Sequence, residues 1–184
     1  TGDGTAANDE STEGTTYSFT VGTNTAEDSV NQLLAEKFKE LIEERSNGAV
    51  NVTIYPNGAM GGDAELTESC IAGTVDFVIG MTGSLVNYIP EAALFDLPNV
   101  FPDLTTAREV LDGPILADLQ AAYEAGGLKL FGYADSGFRV MSSNKAVRQM
   151  SDFSGIKIRT MENPNHIAYW QALRANPVSY THLR

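Results

Sequence analysis

The stretch that decides the fold is YSFTVGTNTAEDSVNQLLAEKFKELIEERSNGAVNVTIYPNG, residues 17–58. It begins with apolar side chains at every second position, as a half-buried strand does: Tyr17, Phe19 and Val21. Residues 25–48 then have the spacing of an amphipathic helix, and residues 49–58 alternate again before a turn. Because two parallel strands need a crossover connection, this strand–helix–strand order indicates an α/β fold.

The helix in this stretch has predicted ends and a predicted inner face. Thr25 and Asp28 resemble a capping pair at its start, and Asn47-Gly48 is typical of a helix end. One stripe of apolar side chains recurs at helical spacing and should face the sheet: Val30, Leu33, Leu34, Phe38, Leu41 and Ile42.

The rest of the chain continues the alternation of helices and strands. Helices are expected over 63–72, 104–111 and 114–125, and strands over 75–80, 128–134, 137–143 and the IKIRT run at 156–160. We therefore expect a mostly parallel sheet. In open sheets of this kind, ligands bind beyond the carboxyl ends of the strands.

Composition limits the kinds of partner. The formal net charge of -12 repels nucleic-acid phosphates and anionic lipid surfaces, so neither is expected as a partner. The single cysteine, Cys70, reads as a small buried hydrophobe, and no Cys/His group has zinc spacing. No stretch has the apolar length of a membrane span, and no signal peptide is recognisable. An anion site in this chain must be built locally by a few cations.

Residues 1–15 differ from the rest of the chain. They are rich in Thr, Gly, Asp, Asn and Glu and contain no large apolar side chain, so a flexible linker is expected. Such a spacer would suit an extracytoplasmic protein that is tethered upstream, for example through a lipidated cysteine. An ordinary frayed terminus is the other interpretation, and the sequence leaves both open.

Two arginines stand among apolar neighbours on consecutive predicted strands. Arg159 lies at the carboxyl end of the IKIRT strand, and Arg139 lies in GFRVMSS. Two converging guanidinium groups could hold a carboxylate through paired, charge-assisted hydrogen bonds. The alternative is that one or both pair with acids such as Asp135 or Glu162. Spacing alone does not decide between them.

Other polar groups give weaker signals. The glycine-rich turn NGAMGGDAEL at 57–66 precedes a helix but lacks the lysine of a phosphate loop, so a plain turn is favoured. Thr82, Ser84 and Asn87 follow a buried strand and could line a polar pocket, but Ser84 has no G-x-S-x-G context. His166 has no matching nucleophile. We find no catalytic constellation and expect no cofactor.

Several motifs occur together in the order of one family: YPNGAMGGDAEL, GTVDFVIG, PEAALFDLPNVF, VLDGPI, GFRVMSSN and GIKIRTMENP…ALRANPV. Over residues 17–178 the chain resembles the substrate-binding proteins of tripartite ATP-independent periplasmic (TRAP) transporters, the DctP group. The resemblance implies a periplasmic-binding-protein-like, two-domain clam shell of α/β class. It also implies a non-enzymatic, monomeric protein outside the cytoplasm, which captures a small organic acid and delivers it to the TRAP membrane permease.

The resemblance also implies roles for particular residues. Arg159, in the IKIRT motif, should clamp the substrate carboxylate, and Arg139, in the GFR motif, should assist it. The remaining candidate contacts are weaker and come from the loops around the pocket: Gly22, Thr23, Asp63, Thr82, Ser84 and Asn163.

Two departures from the family pattern affect this interpretation. Met81 stands where sialate-binding relatives carry an acid, which argues against sialate as the ligand. Residues 179–184, SYTHLR, match nothing expected after ANPV and are predicted to be a non-family tail. We therefore expect a first domain over 16–135 and only the beginning of a second over 136–178.

Two other functions stay open at this point. A ligand-sensing domain of a receptor could use the same pocket, and a downstream membrane helix with a signalling module would favour it. An α/β enzyme would turn over the bound acid, whereas a transport protein would not. Neighbouring genes for a small and a large membrane subunit would favour transport.

Overall fold

The computed structural model describes residues 15–178. The predicted linker, its last residue apart, and the predicted tail lie outside the described residues. The strands are β1 (Tyr17–Gly22), β2 (Val50–Tyr55), β3 (Phe77–Val78), β4 (Lys157–Arg159) and β5 (Asn176–Val178). The α-helices are α1 (Val30–Arg45), α2 (Asp63–Ile71), α3 (Thr82–Leu85), α4 (Leu104–Leu111), α5 (Ile115–Ala125) and α6 (Pro164–Ala172). Two 3₁₀ helices span Pro90–Asp96 and Met150–Phe153.

The first sheet is parallel throughout, in the order β2-β1-β3. Tyr17 lies opposite Val50 and Gly22 opposite Tyr55, so β1 and β2 pair along their full length. Helix α1 is the crossover between them and covers one face of the sheet. The α/β fold with a parallel sheet is therefore confirmed. Val21 and Val52 from the strands and Ala35 from α1 form the buried core of this region.

Helix α1 differs from its prediction at the start and on its inner face. It begins at Val30, and Ser29 rather than Thr25 is its N-cap, with the Ser29 hydroxyl accepting from the Gln32 backbone N–H at 3.2 Å. The predicted apolar stripe is wrong for its first turn, where the side chains are exposed: Val30, Leu33 and Leu34. The amide residues of that turn are buried instead. The Asn31 side chain donates to the Ile79 carbonyl at 3.4 Å, which turns this face towards the sheet edge.

The strands predicted over 128–134 and 137–143 do not form a ladder. Within the described residues this part of the chain belongs to no helix or strand. Phe131 is 72% exposed, and the predicted strand over 75–80 is reduced to the two residues of β3. The alternation of apolar residues is typical of a strand, but a strand also needs a neighbouring backbone to accept its hydrogen bonds.

The second sheet consists of β4 and β5, which are parallel, with α6 as the connection between them. Ile158 is half-buried while Lys157 and Arg159 are exposed, so the predicted alternation of the IKIRT strand is confirmed. Pro164 stands in the first turn of α6, where its missing N–H costs no hydrogen bond. The boundary between the predicted domains stays a prediction. No helix among the described residues has the length and apolar character to cross a membrane.

Candidate functional site

A cleft of about 500 Å³ lies where the first sheet region meets the segment between β4 and α6. One wall comes from the glycine turn and the start of α2, another from α3 and the residues after it, and the third from residues 161–162. The lining residues are Asn24, Gly58, Gly61, Gly62, Asp63, Ala64, Glu65, Ser84, Asn87, Met161 and Glu162.

The glycine turn places the start of α2 at the cleft. Gly61 has φ of 108°, a conformation that favours glycine, and a Cβ atom there would lie 2.7 Å from the Glu65 side chain. The Gly62 N–H donates to the Glu65 carboxylate at 3.0 Å. Glu65 therefore occupies an N–H group that an anion would otherwise contact, in agreement with the plain-turn interpretation of this segment.

Asp63 is the most buried acid of the cleft lining. The residue is 9% exposed. The Oδ1 atom of its carboxyl is buried and has no hydrogen-bond partner in the described part of the chain. Burial raises the pKa of the Asp63 carboxyl, and the charge of Glu65 raises that pKa further, while a hydrogen bond from Asn24 opposes the shift. A Cβ atom at Gly80 would lie 3.6 Å from Asp63 Oδ1, so this oxygen is covered by the protein itself.

The hydroxyl candidates divide between the cleft and the core. Ser84 lines the cleft and donates through Oγ to the Met81 carbonyl at 2.7 Å. Thr82 begins the same short helix and is half-buried but is not among the lining residues. Thr23 is fully buried, and its hydroxyl is 2.9 Å from that of Thr25. Of these residues, only Ser84 faces the space a ligand would occupy.

Neither arginine is among the residues that line the cleft, but both are close to Met161, which is. Arg139 is exposed, and its Nη2 donates to the sulfur of the cleft-lining Met161 at 3.0 Å. Arg159 is exposed at the carboxyl end of β4, two residues before Met161. Asp135, the suggested alternative partner for an arginine, is paired with Arg108.

Asn163 is fully buried, and its side chain is engaged with protein groups. Its Nδ2 donates to the Gly83 carbonyl at 2.6 Å and to Asp96 at 2.8 Å. Its Oδ1 accepts from the backbone N–H groups of Asn165 and His166 at the start of α6. An amide offers two donors and one acceptor oxygen, so this one has little capacity left for a ligand. A ligand contact by Asn163 stays a prediction.

Sequence reasoning missed Asp96, whose carboxylate joins the 3₁₀ helix to α6. The Asp96 side chain is 4% exposed, and it accepts from Asn163, from Asn165 at 3.2 Å and from His166 Nε2 at 2.7 Å. His166 must carry its proton on Nε2 to donate there. These contacts join residues about seventy positions apart, so no local pattern could have revealed them.

The region where Asp96 meets Asn163 and His166 is also closely packed at Gly83. A Cβ atom at this position would lie 3.2 Å from the Met161 sulfur and 3.3 Å from His166 Cε1. The Asn87 side chain also donates across the cleft to the Glu162 carbonyl at 3.3 Å. The wall that carries Met161 and Glu162 is thus fixed to α3 and to the residues after it by a hydrogen bond and by packing. Among residues 15–178, no group of three or more His, Cys, Asp or Glu side chains could hold a metal ion.

The comparisons with known proteins agree on one family. The profile of the bacterial extracellular solute-binding protein family 7, DctP, matches residues 21–182. The 2,3-diketo-L-gulonate-binding periplasmic protein YiaO of Escherichia coli is 30% identical over 88% of this chain and 49% of its own length. The C4-dicarboxylate-binding periplasmic protein DctP of Rhodobacter capsulatus is 34% identical over 78% of this chain and 43% of its own length.

The structural comparison agrees with the sequence comparison. A TRAP periplasmic solute-binding protein from Polaromonas, solved with bound D-erythronate, superposes with a TM-score of 0.84 at 33% identity. The match covers 90% of this chain and 55% of that protein. The chain thus has the α/β fold of these binding proteins, and it spans about half the length of the relatives it matches, as expected for an incomplete second domain.

Proposed function

Because this chain belongs to the bacterial extracellular solute-binding protein family 7, DctP, we propose that it forms the ligand-capturing part of a TRAP solute-binding protein. The ligand is a small organic acid, which is bound and released without chemical change. The observation that carries the proposal is the cleft of about 500 Å³ with Arg139 against its Met161 wall and Arg159 at the end of the adjoining strand.

The arrangement suits an anion with a carboxylate. The guanidinium groups of Arg139, which contacts Met161, and of Arg159, at the end of β4, would supply planar donor pairs that match the geometry of a carboxylate. Polar groups on the first-sheet side, among them Ser84 and Asn87, offer hydrogen bonds to the remainder of the ligand. The relatives support the acid class, because they are named for binding diketo-gulonate and C4-dicarboxylates and one was solved with D-erythronate.

The proposed protein works outside the cytoplasm, as its periplasmic relatives do, and passes its ligand to the TRAP membrane permease. It acts as a monomer. Anchoring through residues 1–15 as a lipoprotein stays a prediction.

A thermal-shift screen of organic acids on the full-length gene product tests the proposal. A ligand present at about one hundred times its dissociation constant should stabilise the protein by about 2.7 kcal/mol, which raises the melting temperature by a few degrees. Neutral polyols of the same carbon number are the control, because they lack the carboxylate. If no carboxylate stabilises the protein, the proposed function is wrong.

A further inference from the structure

The loop between β4 and α6, residues 160–163, forms the third wall of the cleft and follows directly on Arg159. Met161 and Glu162 of this loop line the cleft, and the Met161 sulfur also accepts the hydrogen bond from Arg139. Both arginines are therefore attached to loop 160–163, one through the chain and one through a side-chain contact. The position of the loop decides where a carboxylate held by the two arginines would lie.

The two ends of loop 160–163 are held by different parts of the molecule. At its start, the Thr160 N–H donates to the Val178 carbonyl at 2.9 Å, which extends the pairing of β4 with β5. At its end, the buried side chain of Asn163 donates to Asp96, the last residue of the first 3₁₀ helix. This 3₁₀ helix packs against α3, which belongs to another wall of the cleft. The loop thus bridges the second sheet and the α3 wall.

Asp96 holds the end of the loop through both oxygens of its carboxylate. Oδ2 accepts from the side-chain amides of Asn163 and Asn165 at 2.8 and 3.2 Å, and Oδ1 accepts from His166 Nε2 at 2.7 Å. A buried polar network whose members are paired is rigid, so these contacts fix the end of the loop and the start of α6 together. The Asp96 side chain is 4% exposed and is not among the groups that line the cleft. Asp96 can therefore affect a ligand only through the loop.

We propose that Asp96 is a positioning residue for ligand capture: it holds loop 160–163, and with the loop Arg159 and Arg139, in the place that a bound acid requires. The inference rests on the proposed function, because the position of the arginines matters only if they hold the ligand carboxylate. Paired donation from a guanidinium needs placement to within about half an ångström, and supporting residues that are themselves fixed provide that accuracy. Asp96 is a support of this kind.

Calorimetric titration of the full-length gene product tests the positioning role. The probes are D-erythronate, which is bound in the Polaromonas relative, succinate, and the acid that gives the largest shift in the thermal-shift screen. The probe that binds the wild type most tightly is then titrated into each variant. We expect Asp96→Ala to weaken its binding at least about tenfold, because a guanidinium displaced by about 1 Å no longer donates in pairs.

The conservative variant Asp96→Asn should recover most of this loss. Its amide oxygen can accept from the two asparagine side chains, and its NH₂ group can donate to His166 Nε2 once the proton of that ring lies on Nδ1. The recovery is incomplete, because His166 Nδ1 is buried and has no hydrogen-bond partner in the described part of the chain. We expect Asp96→Asn to bind the probe about threefold more weakly than the wild type does.

Val52→Ala is the control for stability, since it weakens the core of the first sheet region, away from the loop. A loss of stability lowers the apparent affinity only in proportion to the folded fraction, so a variant that is about 95% folded binds almost as the wild type does. We therefore expect Val52→Ala to bind the probe within about twofold of the wild type. Circular dichroism at the titration temperature gives the folded fraction of each variant.

A second variant breaks the same contact from the side of α6. His166→Ala removes the donor to Asp96 Oδ1 and should weaken binding of the probe at least about threefold. If Asp96→Ala does not fold, His166→Ala takes its place in the comparison with Val52→Ala.

The outcomes separate the positioning role from the proposed function. If folded Asp96→Ala, or His166→Ala in its place, binds within about twofold of the wild type, Asp96 does not position the arginines while organic-acid capture stands. If Val52→Ala weakens binding as much, or Asp96→Asn recovers nothing, the positioning role is also wrong. If the wild type binds none of the probes and no carboxylate stabilises it, the proposed function fails and the positioning role fails with it.

Discussion

The first sheet region and the segment at 127–148 have similar apolar patterns but different structures. In the first region Val52 is 2% exposed, because β1 lies beside it and α1 packs over it. In the segment Val140 is 85% exposed, and no residue belongs to a strand. The comparison shows that alternation makes a strand possible, whereas a neighbouring backbone and a covering layer make it form.

The segment is held by side chains rather than by a ladder. The Phe131 ring lies 5.9 Å from that of Phe77, and the Tyr133 ring lies 5.0 Å from that of Phe95. The Gln120 side chain donates to the Leu130 carbonyl at 3.2 Å. Such contacts order a chain locally, but they leave most of its backbone groups to water. The two regions should therefore differ most in how their backbones are protected.

Hydrogen exchange on this chain should reveal the largest difference. We expect amides of β1 to exchange at least about a thousandfold more slowly than those of 128–143, or about 4 kcal/mol in opening free energy. Exchange followed by mass spectrometry with peptide resolution measures both regions in one experiment. In the full-length gene product we expect 128–143 to gain protection. Uniform strong protection through residue 178 in this chain would contradict the comparison.

Asp96 joins the two sides of the cleft, and its loss should have the next largest effect. Asp96→Ala leaves one N–H of the buried Asn163 amide and the Nε2–H of His166 without an acceptor, so we expect a loss of about 2–4 kcal/mol in unfolding free energy. Denaturant titration of the full-length gene product measures it. Asp28→Ala, at an exposed position, is the matched control and should stay within about 0.5 kcal/mol of the wild type. If Asp96→Ala has an equally small effect, the hydrogen bonds of Asp96 do not contribute to stability as expected here.

A matched pair of valines compares the regions directly. Val52→Ala removes two buried methyl groups from the core of the first sheet region and should cost about 1–2 kcal/mol. Val140→Ala removes the same atoms from an exposed site and should cost less than about 0.5 kcal/mol in this chain. Denaturant midpoints of the two variants provide the measurement. Equal losses would show that Val140 is packed as well as Val52.

The smallest expected effect is a pH dependence at Asp63. Because burial raises the pKa of this carboxyl in the folded state, folding favours its protonated form. Its contribution to stability is therefore present in acid and lost as the pH rises through the folded pKa. We expect Asp63→Asn to gain unfolding free energy relative to the wild type between about pH 3 and pH 7. The opposite slope would contradict the desolvation of Asp63, and Asp28→Asn controls for the loss of one negative charge.

Local periodicity explains which parts of the fold were predictable. The strands β1, β2 and β4 and the helices α2, α4 and α5 follow from residues close in sequence, and each forms near its predicted position. The predicted start of α1 was wrong because Thr25 and Ser29 are both suitable caps, and the local sequence does not decide which of them begins the helix. The prediction of strands over 128–134 and 137–143 was wrong because periodicity does not specify a partner strand.

Residues of the site were predictable only where a polar side chain stands in a loop that the sequence pattern already identifies. Asp63 and Ser84 were singled out from their loops, and both line the cleft. Asp96 carries no local signal, since an acid after an apolar turn is ordinarily a solvated group. Its partners lie about seventy positions away, and only the folded chain brings them within hydrogen-bond distance.

The central claim is that Arg159 holds the carboxylate of the ligand, and calorimetric titration of arginine variants tests it most directly. The ligand is the acid that most stabilises the full-length gene product in the thermal-shift screen. We expect Arg159→Ala to lose about 2–5 kcal/mol of binding free energy, or roughly 30-fold to several-thousand-fold in affinity. Arg159→Lys should restore little, because an ammonium group has no planar fork.

Arg139→Ala is the internal comparison and should cost less, since Arg139 is proposed only to assist. Circular dichroism and the melting temperature of each unliganded variant control for folding. A loss at Arg159→Ala that exceeds the loss at Arg139→Ala, with poor rescue by lysine, is the result expected here. If Arg159→Ala binds the acid within about threefold of the wild type, or about 0.7 kcal/mol, Arg159 does not hold the ligand carboxylate.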